Sequence, residues 1–94
     1  MGINDKFFLD SSKAVLVVID VQNDFVPGGS LAVPRGDEVV PVLNRYIAAF
    51  SAAALPIVAT RDWHPADHCS FKPQGGPWPV HCVGGTWGAE LHPA

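Results

Sequence analysis

Six consecutive apolar residues, AVLVVI at 14–19, run without interruption until Asp20. A half-exposed strand alternates apolar and polar positions, whereas a strand covered on both faces of a parallel sheet is apolar throughout. The run therefore predicts a buried parallel strand. The following VPGGSLAVPRG, 26–36, carries turn residues along its whole length and predicts a loop. From Asp37 or Glu38 the period changes. Val39, Leu43, Tyr46, Ile47, Phe50 and Ala54 form the stripe of an amphipathic helix through VVPVLNRYIAAFSAAA. Acidic residues at its entrance suit the helix dipole, and Pro41 is tolerable because it falls in or near the first turn. Pro56 follows the helix, and IVAT at 57–60 predicts a second short buried strand ending at Arg61 or Asp62. Strand, helix and strand in this order make a βαβ unit.

Residues 61–94 hold five prolines and five glycines without sustained periodicity, and the chain has no internal repeat or low-complexity tract. So long a stretch without regular structure is uncommon in a compact domain unless it carries function. Two parallel strands and one helix also leave both sheet edges open and one face of each strand bare. The expectation is that residues 1–94 are the N-terminal part of a single larger domain, with the remainder supplied in sequence or in trans.

Composition narrows the function classes. Six Lys and Arg against nine Asp and Glu give a formal net charge of −3, and the basic residues form no patch. Nucleic acid and anionic membrane surfaces both select clustered basic residues, so neither is an expected partner. No apolar run approaches the ~20 residues of a bilayer span. The opening MGINDKFFLDSSK lacks a basic region followed by an apolar stretch, and Lys6 stands where a myristoylation signal places Ser or Thr. Cys69 and Cys82 are too few for a disulfide framework. The expected compartment is the cytoplasm.

Candidate chemistry gathers at the strand ends, because ligands of open α/β sheets bind beyond the carboxyl ends of the strands. Asp20 ends the first predicted strand, and Asp62 and His64 follow the second. Asp20 and Asp24 also read as turn aspartates bonding nearby backbone N–H groups. Asp62 and His64 are two apart, so an extended chain sends both to one face and Trp63 to the other. His64 and His68 are four apart around Pro65, and one turn would align their imidazoles. His81 arrives from a separate Gly/Pro-rich loop. A carboxylate with two or three imidazoles makes a shell for Zn²⁺, or for Fe²⁺ or Mn²⁺ when water completes an octahedron. Two other readings stay open at this point: unrelated surface histidines, and a structural Cys₂His₂ site using Cys69 and Cys82. His92 reads as a loop hydrogen-bonding residue, and Trp78 and Trp87 as packing residues.

Three separated segments, VVIDVQNDFVPGGSLAV (17–33), ATRDWHPADHCSF (59–71) and WPVHCVGGTWGAELHP (78–93), together resemble the nicotinamidases of the isochorismatase-like cysteine hydrolase superfamily. The resemblance implies an α/β fold, a three-layer doubly wound (Rossmann-like) and mostly parallel sheet. This chain would supply its first βαβ unit and the metal-site loops. It implies hydrolysis of nicotinamide to nicotinate and ammonia, with Asp20 as the catalytic acid/base. It assigns Asp62, His64 and His81 to a divalent metal, with His68 ligating in some members, and Phe25 and Trp78 to the walls around the pyridine ring. Zn²⁺ is the expected cofactor, with Fe²⁺ or Mn²⁺ as substitutes. The family's nucleophilic cysteine and catalytic lysine lie further downstream. Cys69, Cys82 and Lys72 occupy other motif positions, so the chain alone is expected to be inactive. The expected partners are nicotinamide, the C-terminal remainder and, in a homo-oligomer, further copies of the protein.

Overall fold

The computed structural model describes residues 13–94. The leader and acylation expectations rest on residues 1–12 and lie outside the described residues. Strand β1 spans Leu16–Ile19, helix α1 Val39–Ala52 and strand β2 Ile57–Thr60. The strands pair in parallel, from Leu16 with Ile57 to Ile19 with Thr60. The predicted βαβ order is present. Each strand is one or two residues shorter than its apolar run or its predicted limit.

β1 stops where it does because Asp20 adopts a left-handed conformation, φ 53°. Such a residue turns the chain out of the extended path, and Asp tolerates it better than a β-branched residue does. Helix α1 begins one or two residues after its acidic entrance at Asp37 and Glu38. Gly36–Glu38 form a 3₁₀ turn ahead of it, tied by an exposed Arg35–Glu38 ion pair. Pro41 is the third helical residue, where its missing N–H has no intrahelical acceptor to lose. The helix ends at Ala52 rather than Ala54. Ala54 is left-handed at φ 55°, and the Leu55 and Ala54 N–H groups close back on the Phe50 and Ser51 carbonyls. This is a Schellman cap, with Pro56 directly after it.

Burial departs from the predicted pattern in the helix. Phe50 of the apolar stripe is buried, but Val40 takes the inward position expected of Val39, and Ala54 lies beyond the helix, exposed. One face of β1 is covered and the other is bare, as two strands with a single helix imply. Val18 is buried, whereas Val17, Ile19 and Val58 project from the other side, with Ile19 69% exposed. Val17 and Val58 are register partners, so they share this bare face. An apolar cavity of about 470 Å³ runs along it, lined by Val17, Ile19, Phe25, Val33, Val39 and Leu43 among others. The single helix of a βαβ unit covers one side of its strands and leaves the other open.

Residues 61–94 are irregular yet ordered by long-range bonds. His64 pairs with Val83, Phe71 with Trp78, and Gln22 with Leu91 in isolated bridges. Phe71, Cys82, Ala89 and the side chain of Gln22 are fully buried there and form a second small core. Among the described residues no helix is long and apolar enough to cross a membrane.

Phe50→Ala tests how far α1 depends on its buried aromatic side chain. The expected result is a loss of roughly 3 kcal/mol, as for other buried Phe truncations, seen as a lower denaturant midpoint with an unchanged slope.

Candidate metal centre at the strand rim

Beyond Thr60 the second strand continues as extended chain. His64 N–H donates to the Cys82 carbonyl at 2.9 Å, and Gly84 N–H to the His64 carbonyl at 2.9 Å. That two-bond clamp brings the 81–84 loop alongside 62–64. Trp63 turns the opposite way, under the Arg61 guanidinium at 4.6 Å, while Asp62 and His64 point together. A Cβ on Gly84 would sit 2.3 Å from the Trp63 indole nitrogen, so this approach requires glycine.

The result is a three-residue cluster. Asp62 Oδ2 lies 3.0 Å from His64 Nε2 and 3.5 Å from His81 Nε2, and one ligand atom from each residue falls within 4.8 Å of the others. His81 is buried; the other two are half-buried. Its Nδ1 is 2.7 Å from the Pro79 carbonyl, which brings no hydrogen to the bond, so Nδ1 carries the proton. In the neutral ring Nε2 then turns its lone pair toward a carboxylate oxygen. Facing lone pairs repel unless a cation stands between them. The donor set, two imidazoles and a carboxylate, is that of Zn²⁺ and related divalent ions, and the second nitrogen of His81 is fixed by a carbonyl in the way metal-bound histidines are.

His68 lies beside this cluster, its ring 4.4 Å from that of His64. A turn closed by His68 N–H on the Pro65 carbonyl aligns the two imidazoles, and Ser70 Oγ holds His68 Nδ1 at 2.7 Å. Phe71 carries no motif signal in the sequence. It is fully buried and packs against His64, His68 and His81 at centroid distances of 5.5, 5.6 and 5.3 Å. Phe25, Trp78, Asp62, His64, His68 and His81 line one cleft of about 390 Å³, together with Leu31 and Ser70. Trp78 and Trp87 are both exposed and are not core residues.

Asp20 sits at the end of β1 and lines the neighbouring apolar cavity rather than this cleft. Thr60 Oγ1 donates to Asp20 Oδ1 at 2.7 Å and accepts from Asp20 N–H at 3.0 Å. Asp24 is more than a turn residue. Its carboxylate is buried and accepts from Ser30 N–H at 3.0 Å and, across 58 residues, from Cys82 N–H at 2.7 Å. Burial pushes its pKa up, but hydrogen bonds from the Ser30 and Cys82 backbone, with Ser30 Oγ and His81 nearby, outweigh it and hold the carboxyl below its usual range. Gly88 leaves room for it: a Cβ there would stand 2.0 Å from Asp24 Oδ2.

Neither cysteine joins the cluster, which removes the Cys₂His₂ reading. Cys69 is exposed, and Cys82 is buried with its Sγ 4.0 Å from the Gly88 carbonyl. Burial, and then the negative charges of Asp24, Asp62 and Asp20, push the Cys82 thiol up to about 12. His92 bonds within the C-terminal loop, its Nδ1 accepting from Ala94 N–H.

The isochorismatase domain family matches residues 14–94. The chain is 43% identical to the nicotinamidase of Escherichia coli (strain K12), over 83% of this chain and 44% of that protein. Among solved structures, the pyrazinamidase of Pyrococcus horikoshii in complex with zinc superposes with a TM-score of 0.80 at 56% identity, covering 82% of this chain and 43% of that one. PnC1 from L. infantum in complex with nicotinate gives a TM-score of 0.83 at 44% identity, covering 93% and 43%. The chain spans less than half the length of these relatives.

The contrast between the thiols is directly measurable. A raised folded-state pKa means that Cys82 contributes stability in full below the unfolded thiol value of about 8.5. That contribution is lost as pH rises toward 12. At pH 8 iodoacetamide should label only Cys69 in the native chain and both cysteines in denaturant, read by mass spectrometry.

Proposed function

The chain belongs to the isochorismatase domain family, and on that premise we propose that it is the N-terminal part of a single hydrolase domain that converts nicotinamide to nicotinate and ammonia. The observation that carries the reading is the meeting of Asp62, His64 and His81 in a cleft lined by Phe25 and Trp78, in a chain whose relatives include nicotinamidases. The bare face of Val17, Ile19 and Val58 supports a second half of the domain as its covering layer. The substrate and that second half are the partners in this reading, with homo-oligomerisation of the completed protein also carried forward. The setting is pyridine nucleotide salvage in the cytoplasm.

Asp62, His64 and His81 would hold the divalent cation, with His68 beside them as a further donor. Zn²⁺ is the first choice because the pyrazinamidase relative is in complex with zinc, and Fe²⁺ or Mn²⁺ suit the same donors. A bound cation would offer a Lewis-acid contact to the pyridine nitrogen. Phe25 and Trp78 present flat aromatic faces, which grip a neutral planar ring where charges find little to hold. Asp20 serves as the acid/base, taking the proton of a nucleophilic thiol as the sulfur attacks the amide carbon. The C–N bond then breaks, the proton passes from Asp20 to the departing ammonia, and water hydrolyses the thioester to nicotinate. The thiol and its companion lysine come from the second half. Cys82 is unsuited to the role, being buried and held protonated.

With the full-length protein, ammonia release from nicotinamide is expected, and Asp20→Asn should lower kcat by roughly 10²–10⁴-fold, the usual worth of a general acid–base group. Absence of release by the unaltered protein, or unchanged turnover in Asp20→Asn, would overturn the assignment. Metal analysis separates this reading from a non-catalytic zinc module. His64→Ala should lose the bound metal while Cys69→Ser keeps it; loss in Cys69→Ser favours the module.

A further inference from the structure

The backbone ladder between the strands stops at the Ile19–Thr60 pair, because Asp20 turns away while the second strand runs on toward Asp62. Gln22 takes over the pairing with its side chain. Its Oε1 accepts from Asp62 N–H at 2.8 Å, and its Nε2 donates to the Asp62 carbonyl at 2.8 Å and to the Ala89 carbonyl at 2.8 Å. A carboxamide carries the same donor and acceptor as a peptide group, so Gln22 meets Asp62 as a neighbouring strand residue would. Both of its N–H bonds and its carbonyl are used, and the side chain has no solvent exposure.

Fixing the peptide groups on both sides of Asp62 fixes the direction of its Cα–Cβ bond. That direction sets Oδ2 at 3.0 and 3.5 Å from the two imidazole nitrogens. We propose that Gln22 is a positioning residue for Asp62, holding the carboxylate in the geometry that binds the cation. Asn23 provides the contrast. It is also buried and ties the same C-terminal loop through Nδ2 to the Trp87 carbonyl at 2.8 Å, but makes no hydrogen bond to Asp62. The inference rests on the metal reading of the cluster and adds a residue outside it.

The test uses the full-length protein, chelator-competition affinity for Zn²⁺, and the melting temperature of the metal-free form. Gln22→Met keeps the volume and removes all three bonds. It should weaken Zn²⁺ binding by roughly 10–100-fold, the usual effect of losing a group that orients a metal ligand. Gln22→Asn keeps the amide but is one methylene short of spanning both Asp62 peptide groups. It should shift affinity in the same direction, and it is read alone if Gln22→Met does not fold. Asn23→Leu should lower the melting temperature while leaving Zn²⁺ affinity near that of the unaltered protein. Unchanged affinity in folded Gln22 variants, or an equal loss in Asn23→Leu, overturns the proposal. An unaltered protein that binds no divalent metal overturns the metal reading, and this inference with it.

Discussion

Three consecutive buried polar side chains, Gln22, Asn23 and Asp24, hold the irregular part of the chain against the sheet. Each reaches a distant segment: Gln22 the peptide groups at Asp62 and Ala89, Asn23 the Trp87 carbonyl, Asp24 the Cys82 N–H. A buried polar group left without a partner costs about 1–3 kcal/mol, so these bonds specify one arrangement and penalise others. Residues 61–92 have no apolar stripe with which to dock. Their placement depends on this polar layer and on the few apolar anchors beneath it, Phe71, Cys82 and Ala89.

Strain follows the same layer. Asp20 and Cys82 are both non-glycine residues in the left-handed region, at φ 53° and 48°. Such conformations persist when the surroundings over-determine them. Thr60 brackets Asp20 through both its backbone N–H and its carboxylate, and Asp24 grips the Cys82 N–H. Cys82 in turn offers its carbonyl to His64. Asp24 is therefore linked to both histidines of the cluster: His81 precedes Cys82 in the chain, and His64 is bonded to it. Asp20 and Asp62 stand just beyond the strand ends and His81 on a separate loop, and the strained backbone at Asp20 and Cys82 is held by hydrogen bonds.

The regular elements were legible because periodicity encodes them. β1, α1 and β2 fall within one to three residues of the apolar runs, and the Ala54–Pro56 exit of the helix follows known capping chemistry. The bare face of Val17, Ile19 and Val58 was legible in the count of one helix for two strands, whereas the apolar run itself reports what the complete fold buries. At the rim, the spacing of Asp62, His64 and His68 was readable because the geometry is local. His81 was a candidate by residue type, but its approach to Asp62 depends on the His64–Cys82–Gly84 clamp, a contact between separate loops. Gln22 and Thr60 went unmarked, Asp24 read only as a turn residue, and Phe71 went unmarked too. The first three act through bonds spanning 40 to 67 residues, which leave no period in the sequence. Their one visible sign was a cluster of polar residues immediately after an apolar run.

The Asp20–Thr60 and Gln22–Asp62 contacts join residues with the same separation of 40. They act as two marks on a vernier. Sliding one strand by a single residue would swap the faces of every side chain and break both marks together. The apolar side chains of β1 discriminate such a slip less sharply, because both faces of that strand are apolar. Alignment of this short sheet is thus proofread by amides and hydroxyls at its rim, and a misaligned chain is penalised first at the positions where the chemistry is gathered.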